Sequence, residues 1–420
     1  MKRTFLFLLA ASLLIPAASL SAQNDDGYYK DIYMDGGMEL SSRKDLPATR
    51  SLGLSLEILR SAKDKERTLA DTLQQWNALI GDVYDTNGLL LYPDGAPRFK
   101  LFYVNGGSAG HHGRTLTEAG RARIREYVKA GGSYLGSCAG AYLATTGTTT
   151  KLHPEYIGVY PGICTNAKLA DTYVGVTIPE NSPALKYFDF DGDRFIDSVY
   201  HNGGCYMDYN QMIPGCEALF DYNYPPKSMH GNAAVWAWKE NEATGRVICC
   251  GPHPEGKVTG KQLEMFSAMV LYAIEGNGQP RIKGELAQGE AREMTCRTED
   301  NNPDYTRIGD RQYHHFTVRV PEGTDTLRIS LKPVKGNEDF NLHLFASSEG
   351  PAFRRTSKYK NVMNGTEKTL TVIRPKAGTL YVSVFCETTV EPVLSPVYGT
   401  RYNGRLDVLN GVPYVLEVNY

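Results

Sequence analysis

The hydrophobic period of the chain changes near residue 280, and that change limits what the chain can fold into. Between about 31 and 275, short apolar runs alternate with stretches of helical spacing, the pattern of an α/β domain with a mostly parallel sheet. Residues 64–79 place Leu69, Leu73, Trp76 and Leu79 on one helical face, and residues 117–130 read as an amphipathic helix stopped by Gly131-Gly132. Residues 100–104 read as a strand ending at Asn105-Gly106-Gly107, and residues 133–136 as a strand running into Ser137-Cys138. Residues 233–238 and 246–250 suggest a hairpin, and residues 262–274 a closing helix. Beyond the change the period is two. Phe316, Val318 and Val320 alternate with polar residues, as do Leu327, Ile329 and Leu331, Leu342 and Leu344, and Leu380, Val382 and Val384. Turn residues separate these runs, which predicts an antiparallel β-sandwich. Glycine and polar residues dominate 276–290, so the expected division is a leader at 1–22, an α/β domain at 23–280, a linker at 281–295 and a sandwich at 296–420.

With 420 residues there is room for two cores, and 41% hydrophobic content excludes a wholly disordered chain. Lys and Arg total 45 against 47 Asp and Glu, a net charge of -2, which argues against a nucleic-acid partner. Residues 1–22 have the anatomy of a cleaved secretory signal: Lys2 and Arg3, an apolar run from Phe5 to Ile15, the breaker Pro16, then small residues up to Ala22. That run is too short to span a bilayer, and no other stretch is long enough, so no membrane span is expected. The expected location is periplasmic or extracellular. Export permits disulfides, but the spacing of the eight cysteines shows no framework and assigns no bridge.

Gly136-Ser137-Cys138-Ala139-Gly140 sits between a strand and the start of a helix. A chain reversing there holds its central side chain out on a strained backbone, and the flanking glycines leave room for neighbouring elements. The N–H groups of the helix that follows favour a thiolate and can bind an oxyanion. Cys138 is therefore a candidate nucleophile, with a buried structural cysteine in a glycine-rich turn as the equal alternative from this run alone. A nucleophilic thiol needs a base and the base an orienting group. His253-Pro254-Glu255 follows the apolar run ending in Cys249-Cys250, and in an open α/β sheet that strand end lies on the edge where Cys138 must sit. A second His-Pro-Glu at 153–155 follows no convincing strand and reads as a loop coincidence.

The elbow, the later strand ending in His-Pro-Glu, and the order of the two resemble the class I glutamine amidotransferase-like superfamily. The runs GGSYLGSCAGAY (131–142), YVNGG (103–107) and YHNGG (200–204) most resemble its biotin-protein-ligase N-terminal-domain family. The resemblance covers roughly 95–275. It implies a flavodoxin-like three-layer domain and a Cys138–His253–Glu255 triad, with oxyanion donors from the backbone of Ala139 and of Gly106 or Gly107. It does not bring a glutamine-side-chain pocket, a synthase domain or the ligase's catalytic domain, so ligase activity is not implied. The fold expected is thus α/β, a flavodoxin-like three-layer domain with mostly parallel sheet, followed by an all-β sandwich. The expected function is cysteine-dependent hydrolysis of a C–N bond, in a peptide or small-molecule amide, through a thioester on Cys138. A non-catalytic binding protein keeping the scaffold is the alternative, and a transferase forming the amide would use the same residues.

Weaker signals remain. His201, Asn202 and Gly203 form a loop placed to contact substrate, with a structural turn equally compatible. His111-His112 follows the Gly106-Gly107 turn and suits the mouth of the site. Asp189, Asp191, Asp193 and Asp197 depart from the spacing of a Ca²⁺ loop and read as a solvated turn, so neither metal nor cofactor is expected. Residues 337–342 and 375–382 are similar to bacterial pre-peptidase C-terminal domains, which implies substrate, polymer or cell-surface contact through the sandwich.

Overall fold

A computed structural model describes residues 26–35, 45–59, 79–81, 85–225, 227–395 and 399–420. The leader at 1–22 and most of the helix expected over 64–79 lie outside the described residues. The main sheet has eleven strands in the order Val390–Ser395, Gly399–Gly404, Leu56–Leu59, Lys30–Asp35, Phe99–Val104, Ser133–Ser137, Val247–Cys250, Ala233–Trp238, Cys216–Asn223, Thr172–Thr177 and Phe195–His201. Only the five central strands, from Leu56–Leu59 to Val247–Cys250, run parallel. Both flanks are antiparallel.

This overturns the expected flavodoxin-like three-layer α/β domain with mostly parallel sheet. Among the described residues strands make up 37% and helix 19%, with 24 strands and four α-helices. The cause is local. Between Thr172 and Trp238 the strands are joined by short 3₁₀ turns such as Pro183–Lys186, Phe190–Gly192 and Tyr209–Gln211. Parallel neighbours are usually joined by a crossover helix, and no α-helix lies between Thr172 and Trp238 among the described residues. One face of that flank is covered by a second small sheet, not by helices. Its strands are Cys205–Tyr206, Ile163–Asn166, Gly147–Thr148 and Lys151–Leu152, and the Tyr160 ring beside it meets Trp236 edge-on at 6.3 Å.

Side chains alternate across the parallel centre. Ile32, Met34, Leu101, Tyr103, Leu135 and Ile248 share a core with Ala48 of Pro47–Leu52 and with Met265, Phe266, Met269 and Val270 of Gly260–Glu275. On the opposite face Tyr33, Phe102, Tyr134 and Cys249 meet Leu116, Ile124 and Tyr127 of Ala109–Lys129 and Leu143 of Ala139–Ala144. The helix expected at 117–130 is present: Thr117, at φ 63°, separates it from a preceding helical stretch that begins at Ala109.

Two further sheets form the C-terminal part. One has the order Ile282–Glu285, Tyr313–Val320, Gly378–Cys386, Leu342–Ser347, Tyr359–Asn361; the other Ala291–Met294, Tyr414–Asn419, Thr326–Pro333, Lys368–Ile373. The alternate residues Phe316, Val318, Val382 and Val384 of the first and Leu327, Ile329, Leu331, Leu416 and Val418 of the second fill one shared core. Residues 281–295 are built into these sheets, through Ile282–Glu285 and Ala291–Met294. The Val390–Gly404 hairpin leaves this part to extend the main sheet, with Gly399 opposite Leu59. Arg98 makes a two-pronged pair with Asp310 at 3.1 and 3.0 Å, both side chains 1% exposed.

Candidate active site

Ser133–Ser137 runs along the sheet centre and delivers Cys138 to its carboxyl edge, where Ala139–Ala144 begins. Cys138 has φ 48° and ψ -104°, a conformation that L-residues rarely adopt and that functional sites tend to store. The glycines on either side answer to close backbone contacts. A Cβ on Gly136 would lie 2.2 Å from the Gly140 carbonyl carbon, and one on Gly140 would lie 2.3 Å from the Val104 oxygen. The Cys138 N–H donates to the Cys250 carbonyl at 2.8 Å, which fixes the elbow against the strand that leads to His253.

His253 and Glu255 sit where that strand ends. Nδ1 of His253 lies 3.1 Å from Oε1 of Glu255, whose side chain is 2% exposed. The His253 N–H donates to the Tyr200 carbonyl at 2.8 Å. The imidazole also lies near the Cys138 side chain. Burial alone would lower the His253 pKa; the neighbouring Cys138 and Glu255 side chains outweigh it and push it up to about 10. An imidazole with a raised pKa can hold the proton that a leaving amine takes up.

The candidate oxyanion groups border the same point. Ala139 opens the helix after Cys138, and Gly106 follows the central strand Phe99–Val104 with Asn105 between. A Cβ built on Gly106 would lie 2.5 Å from His253 Cε1 and 3.4 Å from Cys138 Cβ. Gly107, at φ 143°, is exposed and leads into the helix Ala109–Lys129. The thiol itself donates to the Asn202 carbonyl at 3.4 Å.

The other sequence candidates divide. Asn202 reaches the site through its backbone, and Gly203 through a carbonyl that accepts from Tyr142 at 3.2 Å. His201 is fully buried, edge-on to Tyr222 at 5.5 Å, and burial followed by the nearby His253 charge lowers its pKa to about 4. It is a neutral core histidine. His112 is buried too, with Nε2 2.9 Å from Asp35 Oδ2, while His111 is exposed. The second His-Pro-Glu repeats the local geometry, Nδ1 of His153 lying 3.2 Å from Oε1 of Glu155. Its ring stacks on Tyr156 at 4.3 Å. In the acidic loop, Lys261 bridges Asp193 at 2.6 Å and Asp191 at 3.5 Å. No group of three potential metal ligands occurs among the described residues.

All eight cysteines are free thiols. Burial pushes Cys205, Cys249 and Cys250 well up and Cys216 up to about 11, so these thiols are poor nucleophiles. Sequence reasoning missed the side chain that frames His253. Tyr200 lies ring to ring with His253 at 5.7 Å and with Tyr173 at 5.6 Å. The signal was available: in the strand Phe195–His201, period two sends Tyr200 and His201 to opposite faces, so only one of them can line the rim.

Comparison with known proteins places part of this chain. Residues 68–168 match the family described as Biotin-protein ligase, N terminal, the family that the elbow and glycine motifs resemble. The matched segment contains Cys138 and ends before His253. An uncharacterized protein of Chlamydia muridarum (strain MoPn / Nigg) is 30% identical over 166 residues, which are 37% of this chain and 60% of that protein's length. Among solved structures, a glutamine amidotransferase aligns over 57% of this chain and 97% of its own, with 13% identity and a TM-score of 0.36. The pre-peptidase C-terminal domain of a collagenase from Bacillus anthracis aligns over 34% of this chain and 100% of its own, with 16% identity and a TM-score of 0.19.

Proposed function

From the match of residues 68–168 to the biotin-protein-ligase N-terminal family as premise, we propose that this chain is an exported cysteine-dependent hydrolase of a C–N bond in a peptide or small amide. The family and the amidotransferase likeness link it only in general terms to amide-bond chemistry. The observation that carries the finer reading is the arrangement of three residues: Cys138 on a strained elbow, His253 beside it, and Glu255 holding the imidazole at Nδ1.

The Cys138 thiolate attacks the amide carbonyl carbon, and the electron pair moves onto the carbonyl oxygen. N–H groups of Ala139 and of Gly106 or Gly107 receive that oxyanion. As the tetrahedral centre collapses, the C–N bond breaks, the amine nitrogen takes the His253 proton, and a thioester remains on Cys138. Water then attacks the thioester while His253 accepts its proton. The acid leaves, the thiolate is restored, and Glu255 keeps the imidazole tautomer fixed throughout. The C-terminal sheets would then hold the enzyme to a substrate polymer or surface. A non-catalytic binder would need no imidazole near the thiol, and the shared nearness of His253 and Cys138 to Gly106 favours the enzyme reading.

Labelling with iodoacetamide tests this. Cys138 should react faster than a free thiol at pH 7 and faster than the other seven cysteines, and His253→Ala should abolish the advantage. A panel of fluorogenic amides should show turnover that Cys138→Ala removes. A Cys138 no more reactive than free cysteine would end the enzyme reading.

A further inference from the structure

Beside the triad lies a rim that the hydrolysis above does not use. Its parts are Tyr200, Tyr173 and Asp171. The strands Thr172–Thr177 and Phe195–His201 pair with Tyr173 opposite Tyr200, so the two rings sit side by side on one face of the sheet edge. Tyr200 touches His253 on one side and Tyr173 on the other, and its hydroxyl donates to Asp171 Oδ1 at 3.1 Å. Tyr173 is 57% exposed, which leaves a large aromatic surface open to solvent one ring beyond the Tyr200 that faces His253. Asp171 is exposed as well, and no lysine or arginine pairs with its carboxylate among the described residues.

The rim is also rigid. Lys168 and Asp171 both hold positive φ, at 50° and 43°. Their turn is tied to the 201–204 loop by Gly203 N–H to Leu169 O at 2.7 Å and by Asp171 N–H to Asn202 Oδ1 at 3.3 Å. That loop is the one whose Asn202 carbonyl accepts from Cys138 Sγ. Rim and nucleophile thus form one fixed frame, which spares a ligand the entropy of ordering the site. The open Tyr173 face attracts a cation through its quadrupole, and the Asp171 carboxylate, held by the Tyr200 that lies between that face and His253, adds direct charge complementarity.

We propose that Tyr173, Tyr200 and Asp171 form the subsite that takes a cationic side chain of the substrate, an ammonium or guanidinium such as a basic amino acid carries. This names the substrate class of the site above and rests on Cys138 being its nucleophile. An aromatic shelf alone would suit apolar groups and sugar rings equally; Asp171, held by Tyr200 at the rim, decides for the cation.

Binding can be measured without turnover, in the full-length Cys138→Ala protein. N-acetyl-lysine methylamide, N-acetyl-norleucine methylamide and N-acetyl-glutamate methylamide are titrated, followed by nuclear magnetic resonance or calorimetry. The lysine ligand should bind roughly tenfold tighter than the norleucine ligand, and the glutamate ligand weakest. The lysine-to-norleucine ratio should fall towards one in Asp171→Asn and in Tyr173→Ala. Equal affinities for lysine and norleucine ligands overturn the subsite, as does a preference that survives both substitutions. Because the readout does not involve the thiol, a lysine preference in a protein whose Cys138 is inert would sink the hydrolase alone. Reactive Cys138 with no preference would sink the subsite alone.

Discussion

Gly106 stands so close to His253 that a Cβ on it would lie 2.5 Å from the imidazole Cε1. A side chain there must displace a ring that is held by Glu255, on a residue whose backbone N–H donates to the Tyr200 carbonyl. The glycine in the Asn105-Gly106-Gly107 turn is thus a condition for the triad, independent of any oxyanion role.

Gly106→Ala should therefore leave the chain folded but slow alkylation of Cys138. A loss on the order of 10²-fold is expected, the scale of removing a positioned acid–base group. Thermal melting monitors the fold and iodoacetamide labelling the site. Unchanged labelling would show that His253 does not govern the thiol.

The two His-Pro-Glu copies show how far the sequence reaches. Both fold into the same Nδ1-to-carboxylate contact, so the tripeptide encodes its own geometry. Only the copy at the end of Val247–Cys250 meets a thiol, because that strand lies beside Ser133–Ser137 and ends level with the elbow. The elbow was legible because Gly136 and Gly140 answer to local contacts within a few residues of Cys138 and one strand away. Sheet direction was not. Strand patterns look alike in either direction, and the apolar runs do not reveal that the links of the antiparallel flank carry 3₁₀ turns such as Pro183–Lys186 in place of crossover helices. The fate of His201 and Tyr200 depended on which face of Phe195–His201 looks inward, a matter of packing against Tyr222.

The raised His253 pKa gives a pH signature. Its folded value is about 10 against an ordinary 6.5, so the folded state binds the extra proton between these limits. This contribution to stability is fully present below about 6.5 and is lost as pH rises through about 10. Wild-type stability should decline over that window more steeply than that of His253→Gln, measured by urea unfolding at stepped pH. Turnover should fall on its alkaline side near the same upper value, since a neutral imidazole cannot protonate the leaving amine. Parallel stability profiles in the two proteins would contradict the assignment.

Buried histidines set the acid limit. Burial lowers His201 and His343 to about 4 and His315 to about 3, and His314 lies well below its ordinary value. These groups favour folding above about 6.5, and the contribution is lost as pH falls from there through 4 and below. His315→Gln, which retains a polar group beside Ser383, should lose less stability than wild type between pH 6 and 4. Melting temperature against pH reads this directly, and equal losses would remove His315 from the account.

Arg98 and Asp310 decide whether the C-terminal sheets form an independent unit. The pair is 1% exposed on both sides and bidentate, and the guanidinium carbon lies 3.9 Å from the centre of the Tyr29 ring and 5.2 Å from that of Tyr402. Removing one partner leaves a buried charge without its counter-charge, which costs about 3–5 kcal/mol in comparable settings. Asp310→Ala and Arg98→Met should each destabilise the chain on that scale. The double variant should recover part of the loss, because neither charge is then stranded. If the two parts fold as one cooperative body, urea unfolding of the single variants stays a single transition at lower midpoint, whether followed by Trp236 fluorescence or by far-ultraviolet circular dichroism. Two separated transitions would show instead that the sandwich unfolds by itself, and that the Val390–Gly404 hairpin does not bind it firmly to the main sheet.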